Sequence, residues 1–362
     1  MNRKEQSEDL FPERQGAARG IERMAQEARS AFEKQTAEYL EIEAKSILNK
    51  CTSPRVPFTW TINPMRGCEF GCRYCYARYT HEFMGMPKWE DFEERIYVKR
   101  DAGRVLLREL DPTKLRGQHI AIGTATDPYQ PAERRFKVTR SILQVLALAR
   151  DLRLSITTKG DLITRDLDLL KRIAARSAIS VNFTITTLDR RLARILEFRA
   201  PIPELRLKAL QATRQAGIRA GVSMAPILPD ITDNPDSLEA VIGAARDHGA
   251  THVFWNVLFL KPSAQQAFFP FLEQHFPHLA KKYAARFARS AFLSRAYKDR
   301  TARLIGELKQ KYGFPDHADL ETPAHVHETE AEQLPLFQIE NRAPSAACPP
   351  SPVERRSPDP TG

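Results

Sequence analysis

Cysteine is scarce in this 362-residue chain, with five in all. Five thiols, three of them crowded together, do not make a disulfide framework, so a reducing compartment is expected. Long apolar runs are also missing. The longest, HVFWNVLFL, falls well short of a membrane span, and the first residues, MNRKEQSEDLFPERQG, are polar and mixed in charge, unlike a secretory leader. A cytoplasmic protein with no membrane segment is the expectation. Acidic side chains are in deficit: 45 Asp and Glu against 55 Lys and Arg leave a formal charge of +10. That surplus favours encounter with a polyanion, nucleic acid being the usual one. The rest is globular in balance, 42% hydrophobic and 28% charged, enough for one large domain or two ordinary ones.

Three of the cysteines lie in one stretch, NPMRGCEFGCRYCYAR, from Asn63 to Arg78. Cys68, Cys72 and Cys75 stand at C-x3-C-x2-C spacing, with Tyr74 just before the third. Thiols this close on a short Gly-containing loop read as a metal or cluster site. Three thiolates leave a four-ligand shell one short, so one position is open to something that is not protein. The alternative is a zinc loop closed by a distant His or Cys, although Cys51 lies at no usual ligand spacing and Cys348 sits in a Pro-rich tail. The stretch resembles the cluster loop of the radical S-adenosylmethionine (SAM) superfamily. That resemblance implies a 4Fe-4S cluster on the three cysteines, with the fourth iron chelated by the amino and carboxylate groups of SAM. It also implies reductive cleavage of SAM to a 5'-deoxyadenosyl radical, and an electron donor such as flavodoxin or ferredoxin.

From Phe58 onward, short β-rich runs alternate with amphipathic helical runs, the pattern of βα units around a parallel sheet. The strands read as FTWTIN, HIAIGTAT, LRLSITTKG, AISVNFTITT, IRAGVSMAPI and HVFWNVLFL. About six units match the partial (βα)6, TIM-like barrel that the resemblance implies, where function sits at the C-terminal edge of the strands. The expected fold is therefore α/β in four parts. Residues 1–54 form an N-terminal helical extension, because Gly20 to Lys50 is rich in Ala, Glu, Arg and Leu. It packs across the barrel or stands free as an arm. Residues 55–262 are the barrel core, 263–317 a basic helical region and 318–362 a disordered Pro-rich tail. In the basic region Lys281, Lys282, Arg286, Arg289, Arg295, Lys298, Arg300 and Arg303 interleave with Tyr283, Phe287, Phe292 and Tyr297. Those residues suit phosphates and splayed bases, or equally a docking helix with rings toward the barrel and charges toward water. His317, His325 and His327 lack a cysteine at ligand spacing and read as solvated residues.

The strand ends offer cofactor contacts once the barrel is assumed. Lys159 ends the third strand, where a similarly placed lysine pairs with the SAM carboxylate in the spore photoproduct lyase branch that this chain resembles; the alternative is an exposed lysine starting a helix. The segment GTATDPYQPAE resembles the TDPYQP-type stretch of photolyase-like members. By that resemblance Thr124, Thr126 and Asp127 face the cofactor edge, near the methionyl amino group, while a Pro-bounded turn is the alternative. Alternation puts Asn182, Thr184 and Thr186 on one face of the fourth strand, making Asn182 or Thr186 a candidate partner for ribose hydroxyls, though Thr is a common strand residue. Met224, Ala225 and Pro226 correspond loosely to the family's adenine side, or pack in the core.

The resemblance runs from roughly Thr59 to Pro262 and implies a DNA-repair lyase. One departure bears on the chemistry. Where that branch carries a hydrogen-donating cysteine after the second strand, this chain has Thr124, whose O–H bond is too strong to quench a carbon radical readily. Tyr129 in the same loop is the candidate substitute. Near the end, Gln333, Leu334, Pro335, Leu336 and Phe337 resemble the short peptide by which bacterial repair proteins dock on the sliding clamp, unless the segment packs back on the folded domain. The expected function is a radical SAM enzyme acting on nucleic acid, namely DNA in the course of repair. The alternatives are modification of RNA or protein by the same radical, and a clamp-associated binding module whose cluster is structural or senses redox state.

Overall fold

The computed structural model describes residues 18–34, 37–53 and 56–316. These belong to the first of two compact units, Met1–Ala324; the second, His325–Gly362, lies outside the described residues, and with it the clamp-like peptide. In chain order the strands are β1 (Arg29–Lys34), β2 (Ala37–Glu41), β3 (Asn49–Lys50), β4 (Trp60–Ile62), β5 (Met65–Arg66), β6 (Arg95–Val98), β7 (His119–Ile122), β8 (Arg153–Thr158), β9 (Ala178–Thr184), β10 (Arg219–Ile227) and β11 (Val253–Val257).

Seven strands form one sheet in the order β11-β10-β9-β8-β7-β4-β3. The six from β4 to β11 are parallel, and only the short β3 runs antiparallel at the edge. This is the expected partial barrel. One face of every strand is apolar, with Ile62, Ile122, Ile156, Val181, Phe183 and Val222 in a single core. Helices Val138–Leu146, Leu167–Ala174, Pro203–Gln215 and Pro235–Asp247 bury their own apolar stripes against that face. Their boundaries follow local chemistry: Pro235 opens its helix behind Asn234, whose side chain accepts the Ser237 amide at 2.7 Å.

The N-terminal extension corrects the helical expectation. Among the described residues only Ala18–Gln26 is helical before β3; β1 and β2 follow, in a second sheet ordered β1-β2-β6-β5. Pairing decided against propensity here. Tyr39 enters the main core beside Phe136, while Leu40 and Ile42 pack with Met84, Met86 and Tyr97 in a separate cluster. Because both faces of β2 are buried, the Ala and Glu content that favours a helix is outweighed.

The basic C-terminal stretch is broken into Pro277–Phe287 and Arg295–Lys311, with Phe292 in the connection bridged to Phe259. Tyr283, Phe287 and Tyr297 are buried in the cluster that also holds the cysteine loop. Their rings therefore dock the helices, and stacking of bases on these three is ruled out by their burial.

Candidate functional site

The cysteine loop leaves the C-terminal end of β4 through β5 and is fixed mainly by its own backbone. Gly67 has φ +82°, and a side chain there would meet the carbonyls of Arg95 and Phe92 at 2.7 and 2.8 Å. Gly71, at φ +60°, is pressed against Phe198 and the Glu93 carboxylate. The Cys68 amide donates to Phe92 O at 2.9 Å, Cys75 to Cys72 O at 3.2 Å and Arg73 to Leu196 O at 2.9 Å. Fully buried Arg78 donates to Cys72 O at 3.0 Å and to Trp89 O at 2.7 Å, and pairs with Glu93 at 3.3 Å. The loop is thus held by partners other than its thiols.

Cys68 and Cys72 are buried and Cys75 half-buried. Burial, reinforced by Asp127 and the neighbouring cysteines, pushes the Cys68 thiol well up. Burial raises Cys72 to about 12 despite the opposing pull of Lys159, and it raises Cys75 too. Without a metal these groups are thiols, and iron must displace their protons. Among the described residues no group of three or more His, Cys, Asp or Glu side chains is gathered for a single metal ion. A cubane makes no such demand, because each thiolate binds its own iron.

A buried charge network backs the loop. Glu197 pairs with Arg206 at 2.5 Å and accepts hydrogen bonds from the Tyr74 hydroxyl and from Thr186 Oγ1, the latter at 3.4 Å. Arg206 also donates to Pro201 O at 2.8 Å and Thr184 O at 2.9 Å. Burial opposes the charge on Glu197, but Arg206 and Lys159 outweigh it and hold the carboxyl below its usual range. Lys159, one residue past β8, lies with Nζ 5.6 Å from the Tyr74 ring centroid. Burial works against its charge as well; Cys72, once it is a thiolate, and Glu197 more than compensate and keep the ammonium protonated.

The loop after β7 serves chiefly as a clasp. Thr126 Oγ1 donates to Gly67 O at 2.6 Å, and Gln130 donates to the same carbonyl at 3.0 Å while accepting the Glu69 amide at 2.9 Å. Asp127 accepts from Thr158 Oγ1 at 2.6 Å, the Tyr129 amide at 2.9 Å and the Lys159 amide at 2.7 Å. Its carboxylate welds this loop to the end of β8, which fits the turn reading better than an open cofactor contact. Thr124 exchanges hydrogen bonds with the Asn63 side chain, and its carbonyl accepts from the Tyr76 hydroxyl. Tyr129 corrects the donor expectation. It is 2% exposed, part of the apolar core on the helix side of the sheet, with its hydroxyl turned toward Asp166 and Glu133. A ring buried there cannot meet a substrate at the barrel mouth.

Comparison with known proteins now bears on this loop and sheet. The family model described as the Radical SAM superfamily matches residues 62–241. An uncharacterized protein of Mycobacterium tuberculosis is 36% identical over 298 residues, covering 82% of this chain and 86% of its own. The chain belongs to the radical SAM superfamily. A second relative, an uncharacterized protein of Methanocaldococcus jannaschii, is 31% identical over 244 residues, 66% of this chain and 84% of its own. Among solved structures, a mutant of spore photoproduct lyase with bound AdoMet and dinucleoside spore photoproduct superposes with TM-score 0.56 and 14% identity over 86% of each chain. At that identity the likeness is one of fold.

Radical SAM enzymes use a 4Fe-4S cluster and SAM, and the site fits both. Three clustered thiols, two buried and one half-buried, with no fourth protein thiol beside them leave one iron for SAM, since Cys51 is the only other described cysteine. The inner face of the sheet leaves room beyond it. Opposite the apolar face lie Thr61, Ala121, Ser155, Thr157, Asn182 and Ser223, small or polar and paired across neighbouring strands. A filled barrel carries bulky branched residues there. Asn182, two residues before the end of β9, meets His252 at 2.8 Å, whereas Thr186 joins the Glu197 network behind the cysteine loop. Met224 is in the apolar core, with Ala225 and Pro226 half-buried at the strand end. Sequence reasoning missed Glu197, Arg206, Arg78 and Glu93. Charged residues at odds with an otherwise apolar helical pattern are the one signal that Arg206 offers; the others give none.

Proposed function

We propose that this radical SAM enzyme acts on nucleic acid, as a DNA-repair lyase of the photolyase-like kind, in the cytoplasm. Cys68, Cys72 and Cys75 hold three irons, and Lys159, kept cationic, pairs with the SAM carboxylate. Thr124, Thr126 and Asp127 shape the edge on which the methionyl group rests, and Thr186 or Asn182 receives a ribose hydroxyl. When bound, the cluster and SAM supply an electron and a 5'-deoxyadenosyl radical for hydrogen abstraction. The chain's own part is to hold the loop rigid through Thr126, Gln130 and Arg78, and to keep water from the radical.

The observation that carries the substrate reading is the inner face. Phe254, 48% exposed, stands on it beside Ser223, and Arg153 and Arg219 share it nearer the strand starts. A planar ring over hydroxyls and guanidiniums suits a base, its sugar and a phosphate. The +10 charge supports the same class, as does the dinucleoside spore photoproduct bound by the spore photoproduct lyase of like fold. Gln333, Leu334, Leu336 and Phe337 would bring the enzyme to the sliding clamp.

The test is anaerobic turnover with SAM, reductant and either UV-irradiated or undamaged DNA, with nucleosides read by mass spectrometry. SAM-dependent loss of a lesion is expected. If both DNAs are inert while RNA or a peptide stimulates 5'-deoxyadenosine formation, the substrate class is wrong and the radical chemistry stands.

A further inference from the structure

We propose that Arg66 and Lys99, two cations beside the cysteine loop, bind a backbone phosphate of the nucleic-acid substrate next to the reacting nucleotide. The inference rests on the nucleic-acid reading above and adds to it the place of one phosphate. No bond is made or broken there.

Arg66 ends β5, two residues before Cys68, and pairs with Tyr97 of β6. Lys99 directly follows β6 and is 5% exposed. Its Nζ donates to Asn63 O at 2.7 Å. Asn63 directly follows β4, and its side chain accepts the Ala125 amide at 2.8 Å. The ammonium therefore lies against the C-terminal edge of the barrel, where β4 and the loop after β7 meet. A third cation stands near. Lys261 Nζ is 4.3 Å from the ring centroid of Tyr79, itself an electrostatic neighbour of Arg66.

The pair lacks an anion. Among the described residues no hydrogen bond or ion pair engages the half-buried Arg66 guanidinium. Asn63 O takes one of the three ammonium protons of Lys99, leaving two. Glu109 is the one carboxylate acting on Lys99, and it already accepts the amides of Ile47 and Leu48 at 2.8 and 3.0 Å. Other acids on the adjoining elements are engaged or in solvent. Asp101 pairs with Arg104, Glu41 with Arg100, and Asp91 and Glu38 with Arg95; Glu22 lies against Gly85, and Glu43, Glu82 and Glu94 are exposed. Burial, with Arg66 beside it, lowers Lys99 to about 7. Two like charges held together out of water are unfavourable until an anion joins them.

The position selects the ligand. A guanidinium fork and an ammonium suit the oxygens of a phosphate. Lys159, at the end of β8, is the cation proposed for the SAM carboxylate, and Arg153 and Arg219 lie nearer the strand starts. A phosphate on Arg66 and Lys99 is level with the cysteine loop, where the radical forms.

The experiment uses the reconstituted holoenzyme with SAM. The probe is a UV-irradiated single-stranded thymidine oligonucleotide, read by fluorescence anisotropy over a salt series. Arg66→Leu and Lys99→Met should each weaken binding about tenfold at low salt. Each should also reduce the slope of log affinity against log salt by about 0.7. Arg66→Lys, which keeps the charge, should keep the slope. Replacing a buried, unpaired charge by an apolar group does not loosen the fold, so the thermal midpoint without oligonucleotide should equal or exceed that of the wild type. Iron content and SAM affinity should match the wild type. Unchanged oligonucleotide affinity and slope in Arg66→Leu and Lys99→Met would overturn the proposal. So would lower thermal midpoints in both with the slope lost in Arg66→Lys too, the mark of a merely structural role. Loss of SAM affinity with the oligonucleotide unaffected would assign the cations to the cofactor and overturn it as well. Failure of the nucleic-acid reading is distinct: the wild type itself would then hold no oligonucleotide, and the proposal would fall with it.

Discussion

Along β8 the residues toward the helices are Leu154, Ile156 and Thr158, and those toward the barrel interior are Arg153, Ser155 and Thr157; β9 repeats the contrast with Val181 and Phe183 against Ser180 and Asn182. One strand therefore serves two purposes at once, because its side chains alternate. The outer face removes apolar surface from water and supplies stability. The inner face gives up that stabilisation for space and hydrogen-bonding groups. Changes on the outer face should cost stability and spare chemistry, and changes on the inner face or its rim should do the reverse.

The rim gives the largest effects. Cys68→Ala, Cys72→Ala or Cys75→Ala should each reduce 5'-deoxyadenosine to background, with iron and sulfide analysis reading the lost cluster. Next is the buried pair behind the loop. Arg206→Met leaves Glu197 charged and unpaired, and should lower unfolding free energy by about 3–5 kcal/mol in urea titration. On the outer face Ile156→Ala should cost about 2–5 kcal/mol, with SAM cleavage per folded molecule unchanged; a loss of cleavage greater than the loss of folded protein would blur the two faces.

A smaller effect follows from His252, which is buried on the inner face against Asn182. Burial, aided by Arg219, Lys309 and Arg214, lowers its pKa to about 4. Between pH 6.5 and 4 the unfolded chain binds a proton that the folded chain refuses, so stability is full above 6.5 and falls as pH drops toward 4. By pH 5 the loss is about 2 kcal/mol. His81, buried and likewise lowered to about 4, adds a similar slope, so His252→Asn should flatten the denaturation profile only in part. The smallest expected change is Thr157→Val, about 0.5 kcal/mol or less in stability, with reduced turnover on substrate as its signature.

Legibility in the sequence followed the same divide. The six parallel strands could be read because each is a short β-branched run closed by a turn or helix signal, and Cys68, Cys72 and Cys75 could be read because their spacing is local. Residues 29–41 could not, since the pairing of β2 with β6 joins segments far apart in sequence and overrides the Ala and Glu of AEYLE. Tyr283 and Phe287 looked equally suited to bases or to the core until packing decided. Asp127 and Tyr129 were correctly placed after a strand, but their direction depends on a loop whose partners, Thr158 and Asp166, lie beyond local reach. The pairing of Glu197 with Arg206 likewise becomes visible only when two helices meet.

The central claim is that the thiols of Cys68, Cys72 and Cys75 hold a cluster with one iron open to SAM. Its most direct measurement is anaerobic reconstitution, analysis of iron and sulfide, then assay of 5'-deoxyadenosine after SAM and dithionite. The account predicts about four irons and four sulfides per chain and SAM-derived 5'-deoxyadenosine. Zinc in their place, or a reducible cluster that leaves SAM intact, would contradict it.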